Sequence, residues 1–119
     1  MAQTARIVRA EEDAPVIDRS HLHLMTAGAQ DLERELLRLF DTQCAVLMER
    51  MAHCAPPARS TLAHTLKGSA LGIGAARVAA AAAAVETADE HQTVPLMRLN
   101  EAVQEARLSI ARLLACAPE

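Results

Sequence analysis

The stretch Pro95-Leu-Met-Arg-Leu-Asn-Glu-Ala-Val-Gln-Glu-Ala-Arg-Leu-Ser-Ile-Ala-Arg-Leu113 decides the fold class. Its apolar residues Leu96, Leu99, Val103, Ala106, Ile110 and Leu113 advance by three, four, three, four and three. That alternation is the heptad seam of antiparallel helical bundles, in which each helix buries one stripe against its neighbours. Pro95 suits the first turn of such a helix, where its missing N–H costs nothing. Upstream, Gln92 to Val94 reads as a linker. Before it, an Ala-rich helix is expected over about 75–91, with Val78, Ala82, Val85 and Ala88 on its inward side. A helix over about 59–73 precedes that one. A longer one is expected over about 30–54, where Leu32, Leu36, Phe40, Cys44, Leu47 and Met51 form a stripe. Asp31, Glu33 and Glu35 suit the positive end of its macrodipole, and Pro56-Pro57 is expected to stop it. Ahead of these, Ser20 can cap a short helix over His21–Ala27, ended by Gly28. Residues 1–14 mix charged and apolar positions without a period and read as a flexible tail. The expected architecture is all-α: an antiparallel four-helix bundle with a short leading helix, built from residues 15–119.

Composition supports that reading and excludes others. The chain has 119 residues, room for a single core. Its hydrophobic set is 51% of residues but its aromatics are 1%, Phe40 alone. Strands draw on β-branched and aromatic residues, and base-stacking platforms need aromatics, so neither is expected. A formal net charge of -3 provides no basic field for a phosphate backbone, and no nucleic-acid partner is expected. The longest apolar run, Val78 to Val85, falls far short of the roughly 20 residues a membrane span needs. The acidic start has no secretory apolar run. A cytoplasmic protein without a membrane partner is therefore expected. Cys44, Cys54 and Cys116 have no Cys-x-x-Cys spacing and read as reduced, mostly buried thiols.

Chemistry concentrates in Ser60-Thr-Leu-Ala-His-Thr-Leu-Lys-Gly-Ser-Ala-Leu-Gly-Ile73. At about 100° of rotation per residue, Leu62, Leu66, Ser69, Ala70 and Ile73 share an inward arc. His64, Lys67, Gly68 and Leu71 fall on the outward side. A glycine inside a helix costs about 1 kcal/mol relative to Ala. Three of the four glycines, Gly68, Gly72 and Gly74, nevertheless lie within seven residues at the end of this segment and just past it. Gly74 can end the helix as a C-cap. Gly68 has no such use, and an outward glycine leaves a bare groove beside the imidazole. Leu71 extends that groove into a small docking patch.

The run His64-Thr-Leu-Lys67-Gly68-Ser69-Ala-Leu-Gly-Ile-Gly-Ala resembles the motif of histidine-containing phosphotransfer domains, the relay modules of bacterial multistep phosphorelays. The resemblance implies a bundle with the motif on its second long helix. It implies that His64 accepts the phosphoryl group, that Lys67 stabilises the phosphohistidine, and that Gly68 leaves room for the partner. Ser69 is assigned no direct chemistry. The implied partners are response-regulator receiver domains, which donate from and accept onto an aspartate, together with a hybrid sensor histidine kinase upstream. The chain itself has neither a Gly-x-x-x-x-Gly-Lys-[Ser/Thr] loop nor a kinase-type Gly-rich loop, so it reads as a phosphoryl carrier rather than an ATP-dependent kinase. No bound cofactor is expected; the Mg²⁺ on which such transfers depend is expected on the receiver. Some relatives dimerise through extra helices, and without a second long helical pair a monomer is expected.

Two rivals stand beside this reading. A metal-binding bundle finds little support, since the five His include no Glu-x-x-His pair, and His21 and His23 diverge on a helix. No metal ligand is assigned. The other rival is a helical-bundle adaptor that binds a signalling partner without phosphotransfer.

Overall fold

A computed structural model describes residues 15–89 and 91–116, and every regular element among them is helical. The expected tail over 1–14 lies outside the described residues. Helix α1 spans Arg19–Met25, α2 Gln30–His53, α3 Pro56–Ile73, α4 Ala76–Thr87 and α5 Val94–Ala115. Together they form a helical bundle around one core.

The helix ends show where local chemistry departs from the sequence expectations. Asp18, not Ser20, caps α1, its Oδ1 accepting from His21 N–H at 3.1 Å. The helix stops at Met25, with Thr26 as its C-cap, before Ala27 (φ 53°) and Gly28 (φ 79°) turn the chain. Pro56 and Pro57 do not end α2, which stops at His53. They open α3 instead, at positions where a missing N–H is harmless, so α3 starts three residues earlier than expected. Gly74 ends α3 in the left-handed conformation at φ 83°. Helix α4 ends at Thr87 rather than near residue 91. Beyond it a polar turn competes with the helix: Asp89 N–H donates to Gln92 Oε1 at 3.1 Å, and Asp89 Oδ1 accepts from His91 N–H at 3.3 Å.

The core is built from Phe40, Cys44 and Met51 of α2, Leu66 and Ala70 of α3, Val78 and Ala82 of α4, and Leu99, Val103, Ala106 and Ile110 of α5. The α5 seam buries its four central members, while Leu96 and Leu113 are partly buried at its ends. On α2 the expected stripe needs correction, because Leu32 is 46% exposed, Leu36 only partly buried, and Leu37 buried. Each four-residue step overshoots a full turn by about 40°, so a row of such steps leaves the seam. Leu37 restores the three-four alternation with Phe40, Cys44, Leu47 and Met51.

Packing runs in a closed circuit, α2 on α3, α3 on α4, α4 on α5 and α5 back on α2, with α1 laid against α3. The alanines of α4 leave little side chain between it and its neighbours. Arg107 Nε meets Asp41 Oδ1 at 2.8 Å between α5 and α2. Arg34 Nη2 donates to the Leu114 carbonyl at 2.6 Å and satisfies an orphan acceptor at the end of α5. Helix α1 is held to the end of α3 by Asp18 N–H on the Gly74 carbonyl, 2.9 Å, and by His21 Nε2 on the Gly72 carbonyl, 3.1 Å.

Among the cysteines only Cys44 is fully buried, and burial pushes its thiol up to about 12. Cys54 is half-buried and Cys116 exposed, which corrects the expectation of mostly buried thiols. Among the described residues no helix is long and apolar enough to cross a membrane.

Candidate functional site

The rotation argument for α3 fits the observed burial in part: Leu66, Ala70 and Ile73 point inward as expected, but Leu62 and Ser69 are only partly buried and Ala63, outside the expected arc, is buried instead. Ala63, Leu66, Ala70 and Ile73 are buried, while the His64 side chain is 66% exposed and Leu71 57% exposed. A Cβ built on Gly68 meets nothing within 4 Å, so this glycine faces open space rather than a packed helix. The same is true of Gly72, one turn further on.

Lys67 is not a freely solvated cation. Its Nζ lies 2.9 Å from Glu86 Oε2, and the other oxygen of that carboxylate, Oε1, lies 2.6 Å from His64 Nδ1. One carboxylate near the end of α4 thus joins the two motif residues on α3. The backbone supports it as well, since Ser60 Oγ donates to the Glu86 carbonyl at 2.9 Å. The hydrogen bond from Lys67, and then that from His64, hold the Glu86 carboxyl below its ordinary range. The imidazole is therefore anchored on one side and open on the other, where Gly68 leaves space.

Glu86 was not singled out in the sequence, though a signal was present. It is the one acidic residue of α4 and stands in the last turn, where the helix dipole disfavours negative charge. A carboxylate placed there calls for a cation from elsewhere. Finding that cation requires knowing that α4 packs beside α3, which no local pattern states.

An apolar groove of about 550 Å³ runs between α1, α2 and α3. Leu36, Leu39 and Phe40 form one wall, with Ser69 and Gly72 on the other. Ser69 thus flanks the groove, away from the imidazole. Three of the other four histidines serve locally: His21 holds a backbone carbonyl, His23 meets Glu33 at 3.2 Å, and His53 meets Glu49 at 3.0 Å.

No family model, no curated protein and no solved structure matches the chain. Its chemistry has to be argued from the site itself. An exposed imidazole with one nitrogen engaged, an ammonium one turn on and no side chain at the next position forms a nucleophile with open access and a nearby positive charge. Among the described residues no three His, Cys, Asp or Glu side chains gather as a metal site, and the one carboxylate here already serves two partners.

Proposed function

We propose that the protein is a phosphorelay intermediate of the histidine-containing phosphotransfer type. His64 accepts a phosphoryl group from the phosphoaspartate of a response-regulator receiver domain and passes it to another receiver, in a pathway fed by a hybrid sensor kinase. The observation that carries this reading is the His64, Lys67 and Gly68 face, with an exposed imidazole, a cation held within the same small network, and open space where a side chain would obstruct a partner. The finer architecture proposed with it is an antiparallel four-helix bundle of α2 to α5, supported by the closed circuit of helix neighbours and the short connections between them.

Phosphoryl transfer relies on positioning and charge stabilisation rather than on elaborate covalent machinery. Here the fold supplies the nucleophile, its orientation and one ammonium. The carboxylate set and any metal for the reaction belong to the receiver, as does the phosphorylated aspartate. Gly68 and Leu71 form the proposed docking face, and a cytoplasmic monomer is the proposed state.

The test is transfer between the purified chain and phosphorylated receivers. Label should appear on the parent, be lost in acid and survive base, as a phosphoramidate does. A chain that binds receivers through this face without taking up label is an adaptor, and the relay reading then fails.

A further inference from the structure

Glu86 lies outside the motif, on the neighbouring helix, yet its carboxylate touches both His64 and Lys67. An ionised carboxylate only accepts hydrogen bonds, so its 2.6 Å contact with Nδ1 requires the ring proton to sit there. A neutral imidazole protonated at Nδ1 keeps its lone pair on Nε2. The contact therefore selects which nitrogen is the nucleophile.

We infer that Glu86 is a positioning residue for His64: it fixes the Nδ1–H tautomer, turns Nε2 outward, and provides the countercharge for the cation formed on phosphorylation. The last part rests on the relay reading; the tautomer does not. In the transfer step the Nε2 lone pair attacks phosphorus and the N–P bond forms as the P–O bond to the donor aspartate breaks. The released electron pair leaves on the donor carboxylate. Nδ1 keeps its proton throughout, so no general base is needed. The ring, neutral before the step, is a cation after it, hydrogen-bonded to the Glu86 carboxylate. Lys67 contributes from the other oxygen. With three N–H donors it can hold Oε2 with one and present another to a phosphate on His64.

The test is nitrogen-15 NMR of the neutral histidine rings in the full chain, combined with phosphorylation by the small donor phosphoramidate. The parent should show His64 protonated at Nδ1. In Glu86→Ala the population should move toward Nε2–H, and phosphorylation should slow by about tenfold, the effect of losing one well-placed charge-assisted contact. Glu86→Gln retains an acceptor oxygen without the charge, so it should hold the tautomer better than it holds the rate. A parent ring protonated at Nε2, or a Glu86→Ala variant unchanged in both tautomer and rate, overturns the inference. If the parent tautomer is fixed at Nδ1 but neither phosphoramidate nor any receiver labels His64, the relay reading fails while the positional role of Glu86 stands.

Discussion

Gly68 offers the sharpest separation of stability from function, because the two demand opposite things of the same atom. The position is helical, φ is not left-handed, and an added Cβ would meet nothing within 4 Å. Gly68→Ala should therefore stabilise the fold by about 0.5 to 1 kcal/mol, through better helix propensity and a less disordered unfolded chain. For a domain of this size that corresponds to a rise in Tm of about 2 to 5 °C. Gly74, six residues later, is a control within the same segment. It sits at φ 83°, and its added Cβ would stand 2.9 Å from the Asp18 carbonyl oxygen. Gly74→Ala should cost at least about 1 to 2 kcal/mol from the left-handed conformation alone. Thermal melts followed by circular dichroism at 222 nm measure all these variants. Gly68→Gln should melt near the parent yet transfer phosphate poorly, because its side chain stands where a receiver must approach His64. A Gly68→Ala protein that melts clearly below the parent, or a Gly68→Gln protein that transfers as fast as the parent, would refute the open-groove argument.

Other expectations can be checked with the same preparations. His64→Gln should keep the helical circular dichroism spectrum and lose all acid-labile label, and residual label would place the acceptor elsewhere. Lys67→Ala should slow phosphorylation or shorten phosphohistidine lifetime by about three- to tenfold, less than a well-placed charge-assisted bond is worth because the site is wet. Thiol titration of the folded chain should modify Cys116 readily and spare Cys44 until the protein is unfolded. Because burial raises the Cys44 thiol from 9.0 to about 12, its contribution to stability is intact below pH 9 and is lost as the pH rises toward 12, which alkaline melts can follow. Glu86 behaves in the opposite sense. Its lowered carboxyl keeps its contacts above the ordinary value of 4.5 and releases them as the pH falls further, observable as loss of the His64 ring restraint only in stronger acid.

Much of the helical layout was legible because periodicity survives in the sequence. The three-four alternation on α5 identified the buried seam, and the rotation along α3 put His64 and Leu71 outside. Errors arose where a local pattern had two physical uses. Pro56-Pro57 can end one helix or open the next, and the chain had already left α2 at Cys54. Asp18 and Ser20 are both good caps, and the backbone chose the earlier one. The four-residue steps through Leu32 and Leu36 resembled a stripe over a short window but turn out of the core over a longer one. Glu86 is missed for a different reason: an acid in a last turn hints at a cation elsewhere, but its meaning depends on a partner some twenty residues away in sequence, and a single chain without its fold does not state who packs against whom.

The shared carboxylate also sets what an approaching molecule encounters from a distance. With the imidazole neutral, Lys67 and Glu86 cancel and the face has no net charge. A phosphoryl group adds about 1.5 to 2 negative charges, only one of which the ring cation offsets. The face then becomes an anion, felt over about 8 Å in physiological salt. On the proposed relay reading, a donor that has surrendered its phosphoryl group faces a more negative surface than the one it approached. On that reading the change of charge favours release of the spent donor, without any helix having to move.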